Sequence, residues 1–436
     1  MDKFKQIIAV MMLVALFFVG CDKDKNNGPT GPEVGTVTDI DLNKIMNSSY
    51  SNLAPEQQKV KLEMESIDFL NELKAASSLK AIDIMKYFND LMEMDTPDVD
   101  DPLTEGTSKN VEQTIFDIVN IYGIFEWNNS KKEWTKKASN SELRFDFPAN
   151  NKATSNNASL SLRGSNSGAS INYYYEDYYG DKNKYEDILK LPNTASGILY
   201  LDSKEIARIE IGVEYQPFDE IVIDEEYNES IKGSYPVKSK LLISTSEGYK
   251  YWYSVDGTGG NSRVEMQLSK GNKILIETLY AMDIDFKYVV DEASDDIDNI
   301  FDLSKANANG YMQLMEDIAL IYQIDVAKLA KEMDKIESKY DDYYYYGYPK
   351  AYYDEWENAL KQYMKVVLVS TKDNCKIADV TYKAMEDCYW DWDCDYYISP
   401  FLKFGDGSEI DAEVYFSEGF GELEDTWEDF VDAFSR

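Results

Sequence analysis

Histidine is absent from the whole chain. That absence removes Ser-His-Asp and Cys-His catalysis, imidazole zinc centres and every histidine general base. Chemistry here would have to rest on carboxylates, tyrosines, lysines or a non-protein cofactor, and no residue pattern calls for a cofactor. Cysteine is scarce too, at four residues. The spacing of Cys375, Cys388 and Cys394 fits no zinc motif, so no metal site is assigned. For an exported chain the expectation is one disulfide and one remaining thiol, with Cys388 and Cys394 paired around Trp390 and Trp392. A catalytic thiol is the sharper alternative, but it would lack an activating histidine.

Positive charge is also in short supply. Lys and Arg number 44 against 81 Asp and Glu, a net charge of −37. A surface this acidic repels phosphate backbones, which argues against nucleic acid as a partner, and it disfavours lying flat on anionic lipid. Disorder does not follow, because 44% hydrophobic and 14% aromatic residues suffice to build cores.

Long apolar runs are limited to one, Ile7 to Val19, preceded by Lys3 and Lys5 and followed by Gly20. It falls short of the roughly 20 apolar residues a membrane-crossing helix needs. Residues 1–20 therefore read as a cleaved secretory signal. Residues 21–40 read as a tether, since Gly28, Pro29, Gly31, Pro32 and Gly35 leave little to bury. Phe18-Val19-Gly20-Cys21 resembles the bacterial lipobox, with Phe18 in place of the more usual leucine. The resemblance implies lipidation of Cys21 and anchorage in an envelope membrane, which two or more acyl chains make stable. The other reading is an ordinary signal with an incidental cysteine. Asp22 resembles an inner-membrane retention signal, whereas Asp22-Lys23-Asp24-Lys25 resembles the acidic surface-export signals of Bacteroidota lipoproteins. The outer membrane is the expected address, its face left open.

The body reads as α+β, a central antiparallel meander flanked by N-terminal helices and a C-terminal helical region. In residues 41–122, Val60, Met64, Ile67, Leu70 and Leu73 recur at helical spacing. A second helix is expected around Ile82 to Met92 and a third over Val111 to Tyr122. In residues 123–290 the period becomes two, with short Gly, Asn and Asp turns, which means consecutive antiparallel strands. One face is apolar, and the flanking helices are its expected cover. In residues 291–436, Tyr311 to Ile336 predicts a seven-turn helix, Tyr353 to Val367 another, and Phe404 to Ser408 a hairpin turn before a strand ending near Phe416. Phe420 to Phe434 predicts a closing amphipathic helix.

Gly123-Ile-Phe-Glu-Trp, Glu133-Trp134 and Leu143-Arg-Phe-Asp-Phe-Pro148 resemble a pattern in uncharacterised Bacteroidota envelope lipoproteins. So do Leu191-Pro192, the run from Leu199 to Arg208, and Glu418-Gly-Phe420. The resemblance spans roughly residues 50 to 290 and the C-terminal end. It implies an envelope location and no activity.

Two tyrosine-rich segments stand out as binding candidates. One holds Tyr173, Tyr174, Tyr175, Tyr178 and Tyr179; the other holds Tyr343, Tyr344, Tyr345 and Tyr346. Tyrosine offers flat apolar area and a hydroxyl at low entropic cost, which suits glycans and protein interfaces alike. The plainer reading is polar aromatic loops or tyrosines packed over helices. Acidic runs at Asp98 to Asp101, Asp291 to Asp298 and Asp391 to Asp395 lack EF-hand spacing and read as solvated faces rather than calcium sites. The expected function is non-catalytic binding of an apolar ligand, a glycan or an envelope protein. The competing classes are a carboxylate-dependent glycoside hydrolase, for which no acid pair can be nominated, and a structural or assembly lipoprotein.

Overall fold

The computed structural model describes residues 32–35, 37, 41–95, 97, 103–108, 111–117, 120, 122–176, 184–224, 229–257, 261–285, 302–340, 348–390, 393–417 and 420. Strand dominates, and the expected α+β character holds in that broad sense, with six helices among the described residues. Helices α1 (Leu42–Met46), α2 (Pro55–Ser77) and α3 (Lys80–Met94) come first. Pro55 opens α2, where its missing N–H costs nothing, and the Gln57 side chain accepts from the Ala54 N–H at 3.1 Å.

Strands β1 (Leu103–Ser108), β2 (Val111–Phe116), β3 (Gly123–Asn128), β4 (Glu133–Lys137) and β5 (Leu143–Phe147) precede four long strands. These are β6 (Ala158–Glu176), β7 (Lys184–Leu201), β8 (Lys204–Asp224) and β9 (Glu229–Thr245). The meander continues through β10 (Tyr249–Asp256), β11 (Asn261–Lys270), β12 (Lys273–Asp285), β13 (Asp302–Leu314) and β14 (Ile318–Ile324). After α4 (Val326–Tyr340) and α5 (Lys350–Tyr363) come β15 (Met364–Ser370), β16 (Cys375–Trp390), β17 (Asp393–Phe404), β18 (Glu409–Asp411) and α6 (Ala412–Ser417). From β8 to β18 each strand pairs antiparallel with the next. The sheet is mixed overall, because β2–β7 and β3–β5 are parallel.

Both faces of the meander are covered. On one, α2 sets Phe69, Leu73 and Ala76 on Leu268, Ile276 and Leu275, and Leu62 on Leu368, Ala378 and Leu402. Helix α3 sets Ala81, Ile84 and Leu91 against Phe125, Trp134, Phe145 and Phe147. On the other face, Val37 and, from α1, Ile45 and Met46 cover Trp252, Leu279, Tyr311, Ile321 and Val367. Glu277 is fully buried on this second face, where it accepts from Tyr311 Oη at 2.8 Å and Gln267 Nε2 at 2.6 Å. Those hydrogen bonds make a buried carboxylate tolerable.

Gly310 on β13 lies between Tyr280 and Tyr322 in register. A Cβ there would sit 2.0 Å from the Leu279 carbonyl oxygen and 2.6 Å from Tyr322 Oη, so only glycine fits.

The long strands behave differently. Near the meander the order is β6–β7–β8–β9, joined where Thr194 to Leu201 pairs with Lys204 to Gly212. Beyond that, β7 and β8 no longer pair, and β6 instead meets β9 over Ile171 to Tyr174 and Ser230 to Gly233. The β6–β7 and β8–β9 ribbons thus join along one edge at one end and the opposite edge at the other. Two-stranded ribbons twist strongly, and register shifts at Ser165, Asn166 and Glu214 let them do so. Gly233 is required at the second seam, because a Cβ would lie 2.3 Å from Ser170 O.

Several sequence expectations change. Val111–Phe116 is a strand, held from both sides by β1 and β7. Tyr311 to Ile324 forms the β13–β14 hairpin rather than a helix, turning at Met315 and Glu316 with φ of 52° and 65°. The apolar run Ala319-Leu320-Ile321 meets cover on both faces, and such a run has no period to tell strand from helix. Helix α5 stops at Tyr363, where Met364 to Ser370 becomes a strand. The C-terminal turn holds, but the strand after it is only Glu409–Asp411 and α6 follows. The expected C-terminal helix lies outside the described residues apart from buried Phe420. On α2, Leu70 and Leu73 are buried as expected, while Val60, Met64 and Ile67 face outward at 52–65% exposure. The helix carries two apolar stripes, and the one bearing Phe69 and Leu73 takes the sheet.

Candidate functional site

Strand lengths in the second half of the meander create a notch. β13 runs back to Asp302, yet β14 matches it only from Ala308, paired with Ile324. β16 runs on to Trp390, yet β15 matches it only up to Val366, paired with Val380. Two strands are therefore missing between β13 and β16, which stand three strand spacings apart, roughly 14 Å. The chain that would have extended β14 and β15 leaves instead as the α4–α5 hairpin. Helix α4 lies against β13, and α5 lies against β16 and β17. The hairpin has its own core of Ile336, Tyr340, Tyr352 and Ala359.

Local chemistry shapes this departure. Asp325 caps α4, accepting from the Lys328 N–H at 3.1 Å, and its own N–H donates to the Tyr363 carbonyl at 2.9 Å. Past the end of β15, the Ala384 N–H finds the Glu357 carboxylate of α5. An exposed strand edge is thereby satisfied from a helix.

The notch opens as a groove of about 800 Å³. Along one row of the sheet it presents Asn309, Gln323 and Lys365, aligned across β13, β14 and β15. Asn307, Asp379, Thr381, Tyr363 and Tyr382 continue the lining, and Met46 and Asn47 form the wall at α1. The amides are networked with α1: Gln323 Nε2 donates to Asn43 Oδ1 at 3.0 Å, and Lys365 Nζ to Asn47 Oδ1 at 3.2 Å. Thr381 Oγ1 is buried without a hydrogen-bond partner among the described residues. Burial pushes the Tyr382 hydroxyl up to about 12, so it stays a neutral donor and acceptor through ordinary pH.

Most charges at the groove are already paired. Lys376 holds Asp379 at 3.0 Å, with Tyr50 Oη donating to the same carboxylate. Burial and that carboxylate raise Tyr50 to about 12. Lys361 pairs with Glu357, and Asp325 with Lys328 at 2.7 Å, the latter holding the Asp325 carboxyl below its ordinary value. A general acid needs the opposite, a raised carboxyl. The lining offers hydrogen bonding, apolar surface and one lysine, Lys365, that meets no carboxylate among the described residues.

The residues singled out from sequence lie elsewhere. Tyr173, Tyr174 and Tyr175 belong to strand β6, not to a loop. Tyr173, Tyr175 and Tyr185 form a cross-strand ladder with centroids 5.3 and 5.0 Å apart, so their rings stack on one another. Tyr178, Tyr179, Tyr343, Tyr344, Tyr345 and Tyr346 lie outside the described residues, as does Cys21. Cys394 is disulfide-bonded and stands opposite Cys388 in the β16–β17 register, while Cys375 is free with its thiol raised by burial. The acidic runs at 98–101 and 291–298 also lie outside the described residues. No group of three or more Cys, Asp or Glu side chains suited to a metal occurs among the described residues. The notch residues escaped sequence reasoning because Asn307, Gln323, Lys365 and Thr381 share no motif. No family model, no curated protein and no solved structure matches this chain.

Proposed function

We propose that this chain is a non-catalytic binding protein of the bacterial outer membrane, anchored through a lipidated Cys21 and taking a hydroxyl-rich ligand, a glycan segment, into the notch. The observation that carries the reading is the groove of about 800 Å³, whose lining sets the amides of Asn47, Asn307, Asn309, Gln323 and Gln362 among apolar and charged side chains. Asn and Gln side chains donate and accept at once, as sugar hydroxyls do, and tyrosine rings offer stacking faces. An apolar ligand fits less well, because both faces of the meander are occupied by the chain's own helices and N-terminal segment. The lipobox-like Phe18-Val19-Gly20-Cys21 and the resemblance to Bacteroidota envelope lipoproteins support the location.

The test is native mass spectrometry of the mature lipoprotein purified from its own envelope, with release and identification of whatever it retains. A retained glycan of defined mass is the expected result. A retained lipid, or turnover of a polysaccharide abolished by one Asp or Glu to amide change, would overturn it.

A further inference from the structure

We infer that the glycan taken by the notch carries a carboxylate, read by Lys365. The inference rests on the notch being the binding site and adds the charge of its ligand. Three lysines line the groove, Lys361, Lys365 and Lys376. Two are committed to carboxylates, Lys361 to Glu357 and Lys376 to Asp379 at 3.0 Å. Lys365 differs: its ammonium reaches only the neutral Asn47 Oδ1 at 3.2 Å and has no carboxylate within ion-pairing distance among the described residues. Its immediate row across the sheet is Asn309 and Gln323, both neutral amides.

An ammonium has three N–H donors, of which Asn47 takes one. The others suit a planar carboxylate, while the flanking amides suit ring hydroxyls on either side of it. The overall charge of −37 does not forbid this. At physiological ionic strength screening acts over about 8 Å, so distant carboxylates are muted and the near lysine dominates. The ligand class is thus a uronate-type saccharide, its carboxylate on Lys365 and its hydroxyls on Asn309 and Gln323.

The test uses the full mature chain with three probes: tetragalacturonate, the same oligosaccharide methyl-esterified, and maltotetraose. Affinities come from calorimetry, and the bound region comes from hydrogen exchange. Expected is binding of tetragalacturonate with protection at the notch, about tenfold weaker binding of the ester, and the same tenfold loss for Lys365→Gln with the acid but not with the ester. A fall in acid affinity on adding salt, absent for the ester, would agree. Equal binding of acid and ester at the notch would overturn the carboxylate reading while leaving a glycan site. Failure of all three probes to protect the notch, with a non-glycan ligand recovered from the native protein, would overturn the site itself. Lys365→Met, which keeps the aliphatic stem, separates charge loss from lost packing.

Discussion

The meander and the paired ribbons are parts of one sheet held by different physics. Across β10 to β17 the buried side chains are mostly apolar, with Glu265, Glu277 and Gln313 among the polar exceptions, and both faces are capped, by α2 on one side and by residues 37–46 on the other. In the outer ribbons the buried side chains among the described residues include the polar Glu186, Gln216 and Ser230 beside Val237. Glu186 accepts from Asn172 Nδ2 at 2.7 Å and from Gln113 Nε2, and Tyr215 Oη donates to the Pro192 carbonyl at 2.8 Å. One region is stabilised by removal of apolar surface from water, the other by satisfied hydrogen bonds and a tyrosine ladder. A sheet covered on both faces has little surface left for a ligand, and the site then falls where covered strands stop.

The contrast can be broken most sharply in the core. Phe147 is fully buried in the α3 cluster, so Phe147→Ala should cost about 3–5 kcal/mol and shift the global denaturant midpoint. Gly233→Ala should cost less, about 1–3 kcal/mol, and act locally. Hydrogen exchange should accelerate at 171–174 and 230–233 while the meander amides keep their rates. A global shift of equal size in both variants would show that ribbons and meander unfold as one unit.

Alkaline titration sharpens the comparison further. Burial raises Tyr253, Tyr280 and Tyr382 to about 12, and all three lie in the meander. A raised folded-state value means that the protonated form is favoured by folding. Their contribution is complete below about pH 10, the unfolded value, and is lost as pH rises from there through 12. Tyrosinate absorbance from these residues should therefore appear together with loss of meander structure by near-ultraviolet dichroism. Early, reversible ionisation without structural change would contradict the burial described. The smallest effect is expected from Asn172→Ala, about 1 kcal/mol, confined to ribbon exchange rates around Glu186.

The sequence was most legible where larger apolar and smaller or polar residues alternate. Tyr249 to Val255, Val264 to Leu268 and Ile274 to Tyr280 alternate cleanly and became β10, β11 and β12 with the expected turn at Gly271. Legibility failed where burial is two-sided, as at Ala319 to Ile321, or where apolar spacing matched a helix by coincidence, as at Tyr311, Met315, Ile318 and Tyr322. The ribbon crossing was invisible because edge exchange depends on twist accumulated over many residues, and no local signal encodes that. The notch depends on where β14 ends relative to β13, a difference in length between neighbours that no window on one strand contains.

The most direct test of the proposed site is hydrogen exchange on the protein with and without acidic and neutral oligosaccharides. Slowed exchange is expected at 307–309, 323–325, 361–366 and 379–382, the segments that border the groove, with the ribbons unchanged. Protection confined to 171–176 and 184–190, or to α2, would place the ligand elsewhere and contradict the proposed site.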